Sequence, residues 1–413
     1  MATKESSAAP TARPTSVRPP TAAPAPAPAA SFRAIVLGGA GDVGSKVVEY
    51  LAAHPACTHV TVADRNVKVA EQVQSRALTQ TGRGKTTVSV AAVDAFNHAS
   101  LVAAIGGHDV CASALGPFHL FEVRCAKASI EAGVRYCSVC DDWNAAEDVI
   151  EKLNDAARSR GLVCVTGFGA TPGVSNMGAT LLMRQFERPT SVKISCFQPL
   201  NAGGGEAVLR HMLFVMTGKL PVWRNGRREL IQACGETLQV ELPKVGVTPL
   251  WHMGHAEPVT MHRYFPTLRH VEYRMGFGWG SRCLVWPAWL GLFHFKWIVN
   301  LTVWIFGWID WVLKRFPKGQ GSLRVDVTGE RADGSVGTET LVGFAEMRES
   351  TGISLAVGAT LLGTGQGLST TEGGMYAPEG AVDPVAFLRI ILSQGFVAYK
   401  DTKLTQRFEL DPV

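Results

Sequence analysis

A doubly wound α/β domain on a parallel sheet, carrying an inserted α+β domain on a mostly antiparallel sheet, is the fold class this sequence predicts. Three observations predict it. From Phe32 to Thr166, short apolar, β-branched runs alternate with amphipathic stretches, the pattern of successive βαβ units. The first run, Ala34-Ile35-Val36-Leu37, breaks directly into Gly39-x-Gly41-x-x-Gly44 and an amphipathic segment. Beyond residue 190 the pattern changes to alternating strands joined by Asn-Gly and Asp-Gly turns, the signature of antiparallel hairpins.

The glycine motif carries a mechanism. In a dinucleotide-binding unit the first glycine makes the turn, the second lets the backbone approach a pyrophosphate, and the third packs helix on strand. Asp42, Val43 and Gly44 open the helix, whose free N–H groups and dipole suit phosphate. A second β-branched run ends in Asp64, about 20 residues on, where a carboxylate meets a ribose 2′-OH. Arg65 follows immediately and suits the 2′-phosphate of NADP, so the pair leaves NADP or NAD open. The expected frame is a Rossmann domain.

Composition bounds the rest. A chain of 413 residues that is 46% apolar is globular, and the domain-size prior favours two domains. The net charge of +5 is spread along the chain, which argues against nucleic acid as a partner. Nine scattered cysteines and no secretory apolar segment suit a reducing compartment, with cytoplasmic location expected. Cys137 and Cys140 have CxxC spacing but no second pair to complete a tetrahedral site, so they read as core residues and no metal is expected. Residues 1–31 are Ala, Pro, Ser and Thr with few charges, a disordered tail by composition. An organelle transit signal is the weaker reading, because dense proline opposes an amphipathic helix.

Along the Rossmann domain, placed at 32–186, strands are expected at 33–37, 59–63, 87–92, 109–115, 136–140 and 161–166. Asp94, after the third, stands either near an adenine amine or as a loop carboxylate. Ala114, Leu115 and Gly116 end the fourth strand, outside whose carboxyl end a cofactor passes. Asp141 and Asp142, ending the fifth before Trp143, are either an acid/base or amine-binding pair or a cap for the next helix. The loop after the sixth strand, Gly167 to Asn176, contains Pro172 suited to a first helical turn and faces the same crevice.

These motifs carry a resemblance. The glycine turn, Asp141-Asp142-Trp143, GATPGVSN at 169–176, GGGEAV at 203–208 and GHAEPVT at 254–260 together resemble the saccharopine dehydrogenase-like family of NAD(P)-dependent oxidoreductases. The likeness runs over about 32–395 and is strongest in the Rossmann half. It implies a cofactor domain, a substrate domain inserted after the sixth strand, and a C-terminus that returns. It also implies a small-molecule substrate and hydride transfer at a carbon–nitrogen bond of an amino-acid-like compound. Relatives include enoyl reductases and lipid-droplet proteins, which keeps a lipid-like substrate or a non-catalytic membrane-associated role as alternatives.

The substrate domain, placed at 187–350, opens with the strand Ser191 to Phe197. Gly203 to Glu206 then starts a helix on which Arg210 is either an anion ligand or part of a wet face. Pro172, Asn176, Arg210 and Glu257 are the candidate substrate-binding residues. His255 is the best proton-handling candidate, since imidazole titrates near neutrality and Glu257 is close enough in sequence to orient it; its bland reading is a partly buried histidine beside a turn. Asp141 and Asp142 are the other catalytic candidates.

Residues 283–316 hold six of the ten tryptophans and are apolar on nearly every side. A membrane span is disfavoured by Lys296 and Asp310, with Pro287 breaking an early helix; a helical hairpin in the membrane interface and a buried homodimer contact are the other readings. Strands are expected at 321–328 and 339–345, a helix at Leu355–Leu368, a loop at 372–379, and a last helix capped by Asp383 with Pro384 at its first position. Residues 351–413 are expected to return to the Rossmann domain as helices.

Overall fold

The structure, a computed structural model, describes residues 30–80, 86–199, 205–278, 281–313, 315 and 319–410. The expected tail, with its transit reading, and Gly203 and Gly204 lie outside the described residues, apart from Ala30 and Ser31.

The first domain alternates strand and helix: β1 (Phe32–Leu37), α1 (Asp42–Ala53), β2 (Cys57–Asp64), α2 (Val67–Gln80), β3 (Thr87–Ala92), α3 (His98–Ile105), β4 (Val110–Ser113), α4 (Phe118–Glu131), β5 (Arg135–Ser138), α5 (Trp143–Ser159) and β6 (Val163–Val165). Ile35, Val36 and Leu37 are buried on both faces, which is why the run is continuously apolar rather than alternating. On α1, Val47, Val48 and Leu51 share the buried stripe. Every pairing in this sheet is parallel. The order reverses between β1 and β4, and the crevice outside their carboxyl ends holds the glycine turn.

After α6 (Val174–Met183) the chain builds the second domain from β7 (Arg188–Phe197), α7 (Gly205–Val215), β8 (Lys219–Arg224), β9 (Arg227–Gln232), β10 (Thr237–Leu242), β11 (Gly246–His252), α8 (Glu257–Tyr264), β12 (His270–Gly276), α9 (Ser281–Trp289), α10 (Lys296–Leu313), β13 (Gly321–Glu330) and β14 (Val336–Ala345). Its pairings are antiparallel except β12 with β7. Asn225 and Gly226, at φ 54 and 74, make the tight turn between β8 and β9 that Asn-Gly predicts.

The chain ends with α11 (Met347–Thr364), β15 (Gly374–Tyr376), α12 (Pro378–Ala381), α13 (Pro384–Ser393), β16 (Ala398–Tyr399) and β17 (Arg407–Phe408). Here the structure differs from expectation. The cofactor sheet has seven strands, β15-β6-β5-β4-β1-β2-β3, because β15 forms inside the expected loop and pairs with β6. Three residues are too short to show a period, and Gly373 allows contact with Gly161 that a Cβ would close to 2.8 Å. The C-terminus is divided between the domains, since β16 and β17 add to the second sheet beside β14. Helix α11 starts eight residues before the expected Leu355. It is buried nearly all round, so it carries no amphipathic signal, and Gly352, Gly358 and Gly363 let it lie against Lys46, Phe168 and Phe32.

The tryptophan-rich stretch is two helices joined by a 3-10 turn at Leu292–His294. No helix among the described residues is long and apolar enough to cross a membrane, which removes the span reading. Pro287 does not break α9; it sits inside the helix, two residues from its end.

Candidate active site

The glycine turn divides its labour by geometry. Gly38, at φ 73, takes the left-handed turn, which the motif had assigned to Gly39. A Cβ on Gly39 would sit 2.9 Å from the Val62 side chain, and one on Gly44 only 2.1 Å from the Gly38 carbonyl oxygen. Gly44 therefore fixes helix on strand. A Cβ on Gly41 meets only that carbonyl, at 3.2 Å, and otherwise points into open space at the start of α1. This cradle fits a dinucleotide phosphate approaching the backbone.

One cavity of about 430 Å³ joins this turn to the second domain. Gly41, Asp42, Val43, Gly44, Ala114 and Gly116 line one end. Leu115 does not; its side chain packs into the core with Ile35 and Leu37. Asp64 supports the turn, accepting from the Ala40 amide at 3.2 Å and the Asn66 amide at 2.9 Å, while the Arg65 side chain is exposed. Asp94 is exposed and accepts from the Phe96 amide at 2.9 Å, the loop-carboxylate alternative.

Asp141, His211, His255 and Tyr273 line the same cavity. Asp142 occupies the cap position of α5 but makes no capping bond; its fully buried carboxylate accepts from the His119 amide at 3.1 Å and lies 3.1 Å from His211 Nδ1. His211 Nε2 lies 3.2 Å from Asp141 Oδ2. Burial alone would raise the Asp142 carboxyl and lower the His211 imidazole. The His119 and His211 partners of Asp142 reverse the first, and the charge of Asp141 with both carboxylate contacts reverses the second. Asp142 is thus held ionised and His211 protonated. The contacts are ion-pair distances without good hydrogen-bond alignment, which leaves Asp141 Oδ1, Asp142 Oδ1 and His211 Nδ1 without an aligned partner. Asp141, Asp142 and His211 place one ligand atom each within 4.8 Å of one another, a spacing that an ion pair and a shared metal ion both satisfy.

His255 is buried, stacked on Tyr273 with ring centroids 3.7 Å apart, and its Nδ1 is hydrogen-bonded to Glu257. Glu257 also accepts from Ser175 Oγ at 3.1 Å. With Nδ1 held, Nε2 is the ring nitrogen left for a substrate. Asn176 lies behind this pair, donating to Glu379 at 2.7 Å, and Pro172 packs against Gly167; neither lines the cavity. Arg210 points away, exposed and bonded to Asn300 on α10 at 3.0 Å. Thus Asp141 and His255 of the sequence-derived candidates face the cavity, Asp142 and Glu257 support them, and Asn176, Pro172 and Arg210 do not enter it. His211, His119 and Tyr273 carry no motif that would have singled them out.

Beneath this site Glu122 is buried and accepts from Ser138 at 2.6 Å, Thr166 at 2.7 Å and Tyr136 at 3.0 Å. Burial pushes its carboxyl up to about 7 against three hydrogen bonds that lower it. The folded protein then keeps a proton that the unfolded chain releases above about 4.5, so stability falls as pH rises from about 4.5 to about 7. The loss is of order 3 kcal/mol. Glu122→Gln is expected to remove that slope, read by denaturant unfolding at pH 5 and pH 8.

A reversed strand order, a glycine cradle at the reversal and a cleft shared with a second sheet define a dinucleotide-binding Rossmann domain with a second domain beside it. Residues 34–165 match the family model for the saccharopine dehydrogenase NADP binding domain. The first domain is thus similar to the NADP binding domain of saccharopine dehydrogenase, and its cofactor is NADP or NAD. Saccharopine dehydrogenase (L-Glu forming) of Saccharomyces cerevisiae shares the fold over 89% of this chain and 98% of its own, with TM-score 0.61 and 14% identity. Among curated relatives, the carboxyaminopropylagmatine dehydrogenase of a Synechocystis strain is 25% identical over 264 residues, 59% of this chain and 62% of that one. A lipid droplet localized protein of Caenorhabditis elegans is 24% identical over 157 residues, 38% of this chain and 37% of that one. The matches therefore span less than two thirds of either relative's length.

Proposed function

We propose that the protein is an NAD(P)-dependent oxidoreductase acting at a carbon–nitrogen bond, C=N or C–N, with His255 moving the proton and Asp141 holding the nitrogen. The observation that carries the proposal is the convergence of the glycine cradle, Asp141 and His255 on one cavity. A bound nicotinamide supplies or accepts the hydride. The chain's part is to orient the reacting nitrogen and handle its proton. Asp141 brings a carboxylate to the cavity wall with Oδ1 lacking a hydrogen-bond partner, which favours a cationic amine or iminium. Glu257 holds the His255 ring with Nε2 toward the reaction site. Purified protein is expected to oxidise NADPH with an aldehyde plus ammonia or a primary amine, and not with a 2-enoyl compound of the same carbon skeleton. Oxidation with the enoyl compound alone defeats this reading. It would favour the second one, carbon–carbon reduction of a lipid-like substrate, for which the apolar walls around Leu323, Val325 and Leu341 speak.

The same protein is proposed to sit on a lipid surface through α9 and α10. Ile298, Val299, Val303 and Phe306 pack inward, while Trp297, Leu301, Trp304, Ile305, Trp308 and Val312 form an exposed stripe at helical spacing. Trp286 and Trp289 of α9, with Leu290 just after it, are exposed as well. Indoles suit the wet, half-apolar boundary of a bilayer, where ring and N–H are both satisfied, better than a dry subunit contact. Exposed Lys296 and Arg315 flank the stripe and suit anionic headgroups. Wild-type protein is expected to float with vesicles containing anionic phospholipid. Trp304→Ser with Trp308→Ser is expected to weaken partitioning about tenfold or more. Concentration-dependent dimerisation without flotation would assign the surface to a second copy.

A further inference from the structure

The cavity extends well beyond the groups used by that chemistry. Its floor is a row of register-matched positions crossing six strands of the second sheet. Met275 lies opposite Cys196, Cys196 opposite Leu323, Leu323 opposite Gly343, Gly343 opposite Ala398, and Ala398 opposite Phe408. All six line the cavity. Neighbouring strands lie about 4.8 Å apart, so the row makes a trough about 24 Å long. Leu388, Ile391 and Leu392 of α13 also line it, so the walls are apolar as well as the floor. Glycine at 343 leaves this floor low, since a Cβ there would touch only the Val397 carbonyl, at 3.5 Å.

None of the described residues lining the cavity is Arg or Lys. Its acids are Asp42, which is paired with Arg348 at 3.4 Å, and Asp141, whose Oδ1 is buried without an aligned partner. Beyond the glycine turn, a carboxylate entering this space would meet a cation only in His211, which is already held between Asp141 and Asp142, so it would lose its hydration with no free partner to replace it. A cationic nitrogen at Asp141 gains a partner, and a hydrocarbon chain gains contact along the whole floor.

Resting on the carbon–nitrogen chemistry proposed above, we infer that the substrate is an amine or imine at the end of a long unbranched alkyl chain, without an anionic group, its nitrogen at Asp141 and its chain along the trough. Placing α7, which carries His211 and Met212 of the cavity wall, against α10 of the lipid-facing pair puts this cavity one helix away from the surface where such molecules partition.

The test is calorimetric binding to the full chain with NADP⁺ present, using dodecylamine, hexylamine and dodecanoate. Dodecylamine is expected to bind at least about tenfold tighter than hexylamine, because each buried methylene adds to affinity. Dodecanoate is expected to bind at least about tenfold more weakly than dodecylamine. Equal binding of the two amines, or of the amine and the carboxylate, overturns the inference. Gly343→Phe is expected to fill the trough, losing dodecylamine while keeping hexylamine and NADPH. Undiminished dodecylamine binding in that variant means adsorption elsewhere and also overturns it. Should Gly343→Phe fail to fold, judged by its NADPH titration, Ala398→Trp serves with the same expectations for the longer hexadecylamine. Separately, dodecylamine that binds as expected without reducing NADP⁺ upholds the ligand class and defeats the hydride chemistry.

Discussion

Gly41→Leu is expected to weaken NADPH binding by roughly 100-fold or more while leaving the melting temperature close to that of the wild type. Gly41 has φ −72, a conformation any residue adopts, and its missing side chain faces open space beyond the Gly38 carbonyl. The substitution therefore fills the cradle without straining the backbone. Losing one or two charge-assisted hydrogen bonds from α1 amides, each about 1.5–3 kcal/mol, produces that factor. Gly44→Ala makes the contrast, because its Cβ would stand 2.1 Å from the Gly38 oxygen and force α1 off the sheet. That variant is expected to lose stability and cofactor together. Fluorescence titration of NADPH beside thermal unfolding separates the two, and unchanged affinity in Gly41→Leu would falsify placement of the phosphates at this turn.

His255→Ala is expected to lower kcat by about 10² to 10⁴, the usual worth of a positioned acid or base. Cofactor affinity should stay near wild type, since His255 lies between β11 and α8 of the second domain and the glycine turn between β1 and α1 of the first. Glu257→Gln tests the orienting role. Glutamine keeps a hydrogen-bonding oxygen for the ring but not the carboxylate charge, so kcat is expected to fall less than in His255→Ala. A His255→Ala enzyme with wild-type kcat on the substrate identified by NADPH oxidation removes His255 from the proton step and leaves the Asp141–His211 group to carry it. Together the two variants separate proton transfer from ring positioning.

The parallel domain was legible because its signals are local. A buried strand must be apolar, a βα turn against phosphate must be glycine, and the next strand ends in an acid, so β1, α1 and β2 could be placed by residue type and spacing. Elements whose reasons lie far away in sequence were not legible. Strand β15 exists because β6 offers an edge, and α11 is helical from Met347 because three glycines fit the surfaces of α1, Phe168 and Phe32. Neighbours on one helix also parted company. Arg210 and His211 are adjacent in sequence, yet about 100° of helical rotation sends the first toward Asn300 and the second between two carboxylates.

The sequence by itself determined a dinucleotide-binding parallel domain, the strand end carrying Asp141 and Asp142, and the pairing of His255 with Glu257, since each follows from residues a few positions apart. Tertiary structure alone decided that these face one cavity, that His211 and Tyr273 complete it, and that six strands lay an apolar floor beyond it. The physical reason is range: hydrogen bonding and periodicity act between near neighbours, while strand order and the burial of one side chain by another are settled only when distant segments pack.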